Sequence, residues 1–296
     1  MALNALRARA DRHPQTTAIA IIGLFVLFIL APVLLLGPED TTGGTGTLNF
    51  ETLTSGLPLQ IIVSAVLLLI VGVLGWWRMT LLWSRLERRG LRALYFTLAY
   101  PLLGIVVITL VLNDGETGRN PRDVLLLVLV LNFFVGLSEE LLFRGILFGA
   151  LRQKNRLITA IVVSSIAFGL LHVVNAGVGQ SADQTLFQVI NAASLGVLFC
   201  ALTLTTNNLW PAIMLHMVWN SYAMMGLAST EVMPESPETA LTPTDLSAWA
   251  FLVPTLILLI GIAILYGYRH ASQVRLRDVV PPPGLRKDIT DATAPR

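Results

Sequence analysis

Residues 124–150 read VLLLVLVLNFFVGLSEELLFRGILFGA, an apolar run interrupted only by Glu139, Glu140 and Arg144. Its length exceeds the roughly 20 apolar residues that cross a bilayer as a helix. A soluble core helix of that length would leave too much apolar surface in water, so the run points to a membrane span. The whole chain agrees: of 296 residues, 54% are hydrophobic and only 13% charged, with a mean hydropathy of +0.72. Soluble domains carry about twice that charge. The chain is therefore expected to be an all-α, polytopic protein of the cell membrane.

Eight spans are expected outward from this one, at 18–36, 59–77, 91–112, 124–150, 157–174, 187–205, 209–225 and 248–268. The first follows Arg7, Arg9 and Arg12 but is too long for a signal peptide and lacks a small-x-small cleavage site. It is read as a retained span. Gly145 and Gly149 form a GxxxG pair suited to close helix packing.

Charges sort by loop. The N-terminal segment, the 78–92 loop, the 152–156 loop and the C-terminal segment are basic, whereas the loops at 37–56, 175–186 and 226–246 hold acids without Lys or Arg. The 113–123 loop is mixed. This alternation predicts that both termini are cytoplasmic. Organisation follows as a cytoplasmic tail at 1–17, N-terminal spans over 18–123, and a core at 124–225. An outer loop and last span cover 226–268, and a cytoplasmic tail at 269–296, rich in Pro and charge, is expected to be disordered. The Arg residues mark span ends and form no nucleic-acid patch. Cys200, the single cysteine, excludes an intramolecular disulfide and a Cys-based zinc cage.

Ionisable groups inside spans are costly, and each is a candidate functional residue. Glu139 and Glu140 are joined there by Arg144, His172 and His216, with Asn220 one turn beyond His216 and Phe168 one turn before His172. Two adjacent carboxylates in a low dielectric do not both ionise cheaply, so one is expected to be held protonated or strongly paired. Arg144, one turn from Glu140, is the expected partner, which leaves Glu139 about 100° around the helix as a general base. An Arg–Glu staple between helices accounts for Glu140 and Arg144 but not for the second Glu or the histidines. Together the groups supply a base, an imidazole to share its proton, and His/Asn donors for an oxyanion.

The motifs Glu139-Glu140-x-x-Phe143-Arg144, Phe168-x-x-x-His172 and His216-x-x-x-Asn220 resemble the three ordered motifs of the CAAX prenyl protease and bacteriocin-processing family of intramembrane proteases, which includes the type II CAAX prenyl endopeptidases. Phe187, Gly196 and the run Asn208-Leu209-Trp210-Pro211 add to the likeness, which spans residues 124–225. It implies an endopeptidase in which Glu139 and His172 activate water, His216 and Asn220 stabilise the oxyanion, and Glu140 and Arg144 position the first carboxylate. Membrane lipid and a peptide or lipidated-protein substrate are the implied partners, with no nucleic acid; the oligomeric state is not legible. The family has been read as both glutamate- and metal-dependent, so zinc held by Glu139, His172 and His216 stays open.

Other chemistries stand beside this one. A proton-coupled transporter could use the same Glu/His/Arg cluster as a relay, and a non-catalytic immunity or scaffold protein could retain it. The His-Glu-x-x-His helix of zinc proteases and the Gly-x-Ser-x-Gly elbow are absent. Straight helices would place His172 about 22 Å, and His216 about 10 Å, from the cytoplasmic ends of their spans. One shared site therefore requires tilted, staggered or broken helices. Gly136, Gly145 or the 144–156 stretch is expected to absorb the mismatch, with the helix after Arg144 lying partly at the interface.

Overall fold

The computed structural model describes residues 2–36, 50–111, 121–177, 179–232 and 251–279. Among them there is no strand, and seven helices are long and apolar enough to cross a membrane. The protein is an all-α polytopic membrane protein. Residues 37–49 of the expected 37–56 loop, 113–120 of the 113–123 loop and 233–246 of the 226–246 loop, and the tail beyond Val279, lie outside the described residues; residues 50–56, 121–123 and 226–232 are helical, so the neighbouring helices are longer than expected.

The helices in chain order are α1 (Ala2–Arg12), α2 (Pro14–Leu36), α3 (Phe50–Leu74), α4 (Leu91–Val111) and α5 (Pro121–Glu140). A π-helical segment, Leu141–Leu147, continues α5 into α6 (Phe148–Lys154). There follow α7 (Leu157–Leu171), the short α8 (Val174–Gly177), α9 (Ala182–Thr206), α10 (Trp210–Val232) and α11 (Leu252–Val279).

The seventh expected span, 209–225, corresponds to α10 and is not among the seven apolar helices. Its sequence carries His216, Asn220 and an N-terminal Trp210-Pro211, so composition alone does not mark it. It packs on α4, α5 and α9, and Ala212, Ile213, Leu215 and His216 are buried. A helix enclosed in this way can hold polar groups because they face protein rather than lipid.

Two segments differ from expectation. Residues of the N-terminal tail form helix α1, docked on the end of α3: Arg7 Nε donates to the Val73 carbonyl at 2.7 Å, and the Trp76 indole donates to Asp11 at 2.9 Å. At the other terminus the last helix runs past residue 268 to Val279, so the first part of the expected tail is helical. Polar and charged residues there extend the helix beyond the apolar stretch, which ends at His270.

Around the core, α9 is central, packing on α7, α10 and α11, while α5 packs on α3 and α10. Small residues set these distances. A side chain at Gly104 would collide with the Tyr222 ring, and one at Gly169 would meet the Val189 carbonyl oxygen at 2.6 Å. The turn from α9 to α10 is built locally. Asn207 takes the left-handed conformation (φ 51°) and its N–H reaches the Leu204 and Thr203 carbonyls, closing α9. Asn208 then accepts from the Trp210 N–H at 2.9 Å and donates to the Ser84 carbonyl at 2.6 Å, so one side chain starts α10 and ties it to the preceding basic loop.

Candidate active site

The centre of the site lies at the junction where α5 becomes the π segment. A π turn holds more residues than an α turn and appears mostly as single-turn bulges, frequently at functional sites. Here it spans seven residues, all of them buried. Widening the helix re-aims the side chains that follow Glu140, and Gly145, one of the positions expected to absorb the depth mismatch, lies within it. A side chain at Gly145 would meet Thr80 Cβ at 3.2 Å. In the helix that follows, Phe148, Gly149, Ala150 and Leu151 are buried within the protein. Ser164 of α7 donates to the Phe143 carbonyl at 2.9 Å and fixes the segment from outside.

Arg144 Nη1 donates to Glu140 Oε1 at 2.9 Å, with neither side chain exposed. The same carboxylate oxygen lies 2.8 Å from His216 Nδ1. On the other side of the imidazole, His216 Nε2 stands 3.6 Å from Glu139 Oε2, beyond ordinary hydrogen-bond length. Glu139 is the more open of the two acids, its side chain 17% exposed against none for Glu140. Glu139 Oε2 makes no hydrogen bond with a described residue.

Aromatic rings enclose the ions. The Arg144 guanidinium lies 4.1 Å from the Phe168 ring centre and 5.0 Å from that of Phe199, so its charge is held by two π faces as well as by Glu140. Phe199 also stacks on the His216 ring, at 5.1 Å and 13°. Phe168 touches both histidines edge-on, His172 at 5.2 Å and His216 at 5.6 Å between ring centres. At Gly196 a Cβ would lie 2.8 Å from Ser165 Cβ and 3.1 Å from Arg144 Nη2, so glycine there lets α9 close over the guanidinium.

His172 caps the C-terminus of α7. Its Nδ1 lies 3.0 Å from the Phe168 carbonyl. A carbonyl only accepts, so Nδ1 carries the proton that it donates, and Nε2 is left free of this bond. By the same logic Glu140, held by Arg144, accepts a hydrogen bond from the Nδ1–H of His216, whose Nε2 faces Glu139.

Glu139, Glu140, Arg144, Phe168 and His216 thus meet in one cluster, and His172 joins it through its contact with Phe168. Asn220 lies one turn along α10 from His216, half-buried; the Nδ1 of His216 is engaged by Glu140 rather than by any group on its own helix. Phe199 and Ser164 were not among the residues singled out in the sequence. The only signal for Phe199 is its place one turn after Gly196, on the same face of α9.

His216 Nε2 and Glu139 Oε2 are 3.6 Å apart, but they make only two ligands. Among the described residues no group of three or more His, Cys, Asp or Glu is spaced to hold a metal. The arrangement therefore does not fit the three-ligand zinc centre considered from the sequence.

Residues 121–222, which carry every one of these groups, match the family described as type II CAAX prenyl endopeptidase Rce1-like. Over 122 residues the chain is 29% identical to a Bacillus subtilis (strain 168) protein described as "Putative membrane peptidase YdiL", a match covering 39% of this chain and 46% of that protein. The chain thus spans about half the length of the curated relative it matches. No solved structure matches. The resemblance read from the three motifs is carried by this third of the chain.

Proposed function

We propose that this chain is an intramembrane endopeptidase that hydrolyses a peptide bond with water activated by Glu139 and His172. The observation that carries the reading is the bridging position of His216, with Nδ1 2.8 Å from the buried Glu140 and Nε2 3.6 Å from the more open Glu139. That order, a fixed acid, an imidazole and an accessible acid, is the arrangement general acid–base catalysis uses. The match of residues 121–222 to a prenyl endopeptidase family and the relative described as a membrane peptidase support the same class.

In this mechanism Glu139 takes a proton from water as its oxygen bonds to the scissile carbonyl carbon. His172, its Nε2 unprotonated, orients that water. The proton passes to His216 Nε2, and the resulting imidazolium is stabilised by Glu140 through Nδ1. His216 and Asn220 then donate to the tetrahedral oxyanion. Collapse breaks the C–N bond, and the imidazolium proton goes to the departing amine. Arg144 never meets the substrate; it holds the Glu140 side chain in place.

The proposed substrates are membrane-bound or lipidated peptides, reached from the cytoplasmic side, the side that the charge pattern of the loops favours for both termini. The test uses purified full chain in detergent with membrane-embedded peptides, comparing wild type with Glu139→Gln and His172→Ala, with and without a chelator. Cleavage lost in both variants and unaffected by chelator supports the reading. Cleavage that survives both substitutions overturns it, and chelator-sensitive cleavage replaces glutamate chemistry with metal chemistry.

A further inference from the structure

Away from the ionisable cluster, a cleft of about 510 Å³ opens where three helices reach the edge of their apolar stretches. The apolar stretch leading into α4 begins at Arg88, that of α9 ends at Thr206 and that of α11 ends at His270. The three walls therefore stand at one level, the rim of the hydrocarbon layer. The base is closed because α4 and α9 touch backbone to backbone: a Cβ at Gly90 would lie 2.6 Å from the Thr205 carbonyl oxygen.

Arg89, Arg92 and Glu87 line one wall, and Asn207 and Tyr268 face them. Both arginines are exposed, and neither makes an ion pair with a described residue. The first turn of α4 contains no acidic residue, and the 3₁₀ turn before it, Arg88–Gly90, has no side-chain cap. Two cations beside the positive end of a helix dipole are unfavourable by themselves. An anion seated between them relieves both, as helix N-termini and guanidinium groups each favour phosphate.

The remaining lining is apolar, Leu204 and Ile264 among it. At Gly267 a Cβ would meet nothing within 4 Å, so the wall is cut back on its lipid side. We propose that this cleft binds one anionic phospholipid, with its phosphate on Arg89 and Arg92 and its acyl chains leaving past Gly267 and Ile264. The charge selects an anionic headgroup, and the apolar exit selects a lipid over a free phosphate.

The test titrates the full chain, purified in a neutral maltoside detergent, with dioctanoyl phosphatidylglycerol, read by thermal unfolding and native mass spectrometry. Parallel titrations use dioctanoyl phosphatidylcholine and inorganic phosphate. The expected result is one tightly bound phosphatidylglycerol per chain and a raised Tm that neither control reproduces. Arg89→Gln/Arg92→Gln weakens binding by roughly tenfold or more. Gly267→Trp, which fills the cleft without changing charge, does the same. Arg85→Gln/Arg88→Gln, outside the cleft lining, binds as wild type. Equal binding of phosphatidylcholine, a full shift with inorganic phosphate alone, or wild-type binding by either cleft variant overturns the proposal.

Discussion

Glu140 and Arg144 are joined at 2.9 Å with no exposure of either side chain, and the chain between them passes from α into π helix. A buried pair of this kind is weak evidence for stability in itself, because desolvation offsets the attraction. Here it has a positional consequence: the same Glu140 oxygen holds His216. Pair and imidazole therefore stand or fall together.

Removing one partner should be severe. Arg144→Met leaves Glu140 buried and uncompensated beside His216, and a loss of about 3–5 kcal/mol is expected. Thermal unfolding in detergent measures it. Glu140→Gln/Arg144→Met should recover much of that loss while cleavage stays absent, since His216 no longer has a carboxylate on Nδ1.

Phe168 touches both histidines and lies against the guanidinium. Phe168→Ala is expected to cost about 3–5 kcal/mol through the cavity it opens. Phe168→Leu keeps most of the volume and should fold, yet cleave more slowly because the rings of His172 and His216 lose their edge contacts. A normal turnover rate in a folded Phe168→Leu protein would count against that positioning role.

Gly196 offers a graded series. Alanine there meets Ser165 and Arg144 at 2.8 and 3.1 Å, so α9 must shift or the arginine must move. Gly196→Ala should destabilise by about 1–3 kcal/mol, and Gly196→Val by more. Cleavage should fall with the size of the added group, in step with the unfolding temperature.

Asn208 lies outside the chemistry and should behave differently. Asn208→Ala removes the cap of α10 and the bond to Ser84, which together contribute about 1–3 kcal/mol. Stability should drop in unfolding experiments while the turnover of folded protein remains near wild type.

Much of this was readable from single residues. The spacing of Glu140 and Arg144 is enough to predict their pairing, because residues four apart meet on a helix face whichever way the helix is packed. The apolar runs locate the spans because lipid imposes one simple demand on composition. The same reading finds α10 at 209–225, although that helix, shielded by its neighbours, is not among the seven most apolar ones. The π segment escapes it altogether: a period of 3.6 was assumed, and only the mismatch in depth between His172 and His216 hinted that some helix departs from it. Phe199 was invisible because its role depends on how α9 lies over α10, a long-range fact that a lone Phe in an apolar run does not encode.

The π segment has a consequence for how the chain can vary. Within it the ladder skips one residue further along, as where the Phe148 N–H reaches the Phe143 carbonyl, so everything after Leu147 is out of phase with α5. The acids at 139 and 140 and the packing face at Phe148–Leu151 are thereby decoupled. The same seven residues rewound as α-helix, with nothing removed, would rotate one set against the other by roughly 100°. The relative aim of the acids and the packing face is thus set by the width of this one turn.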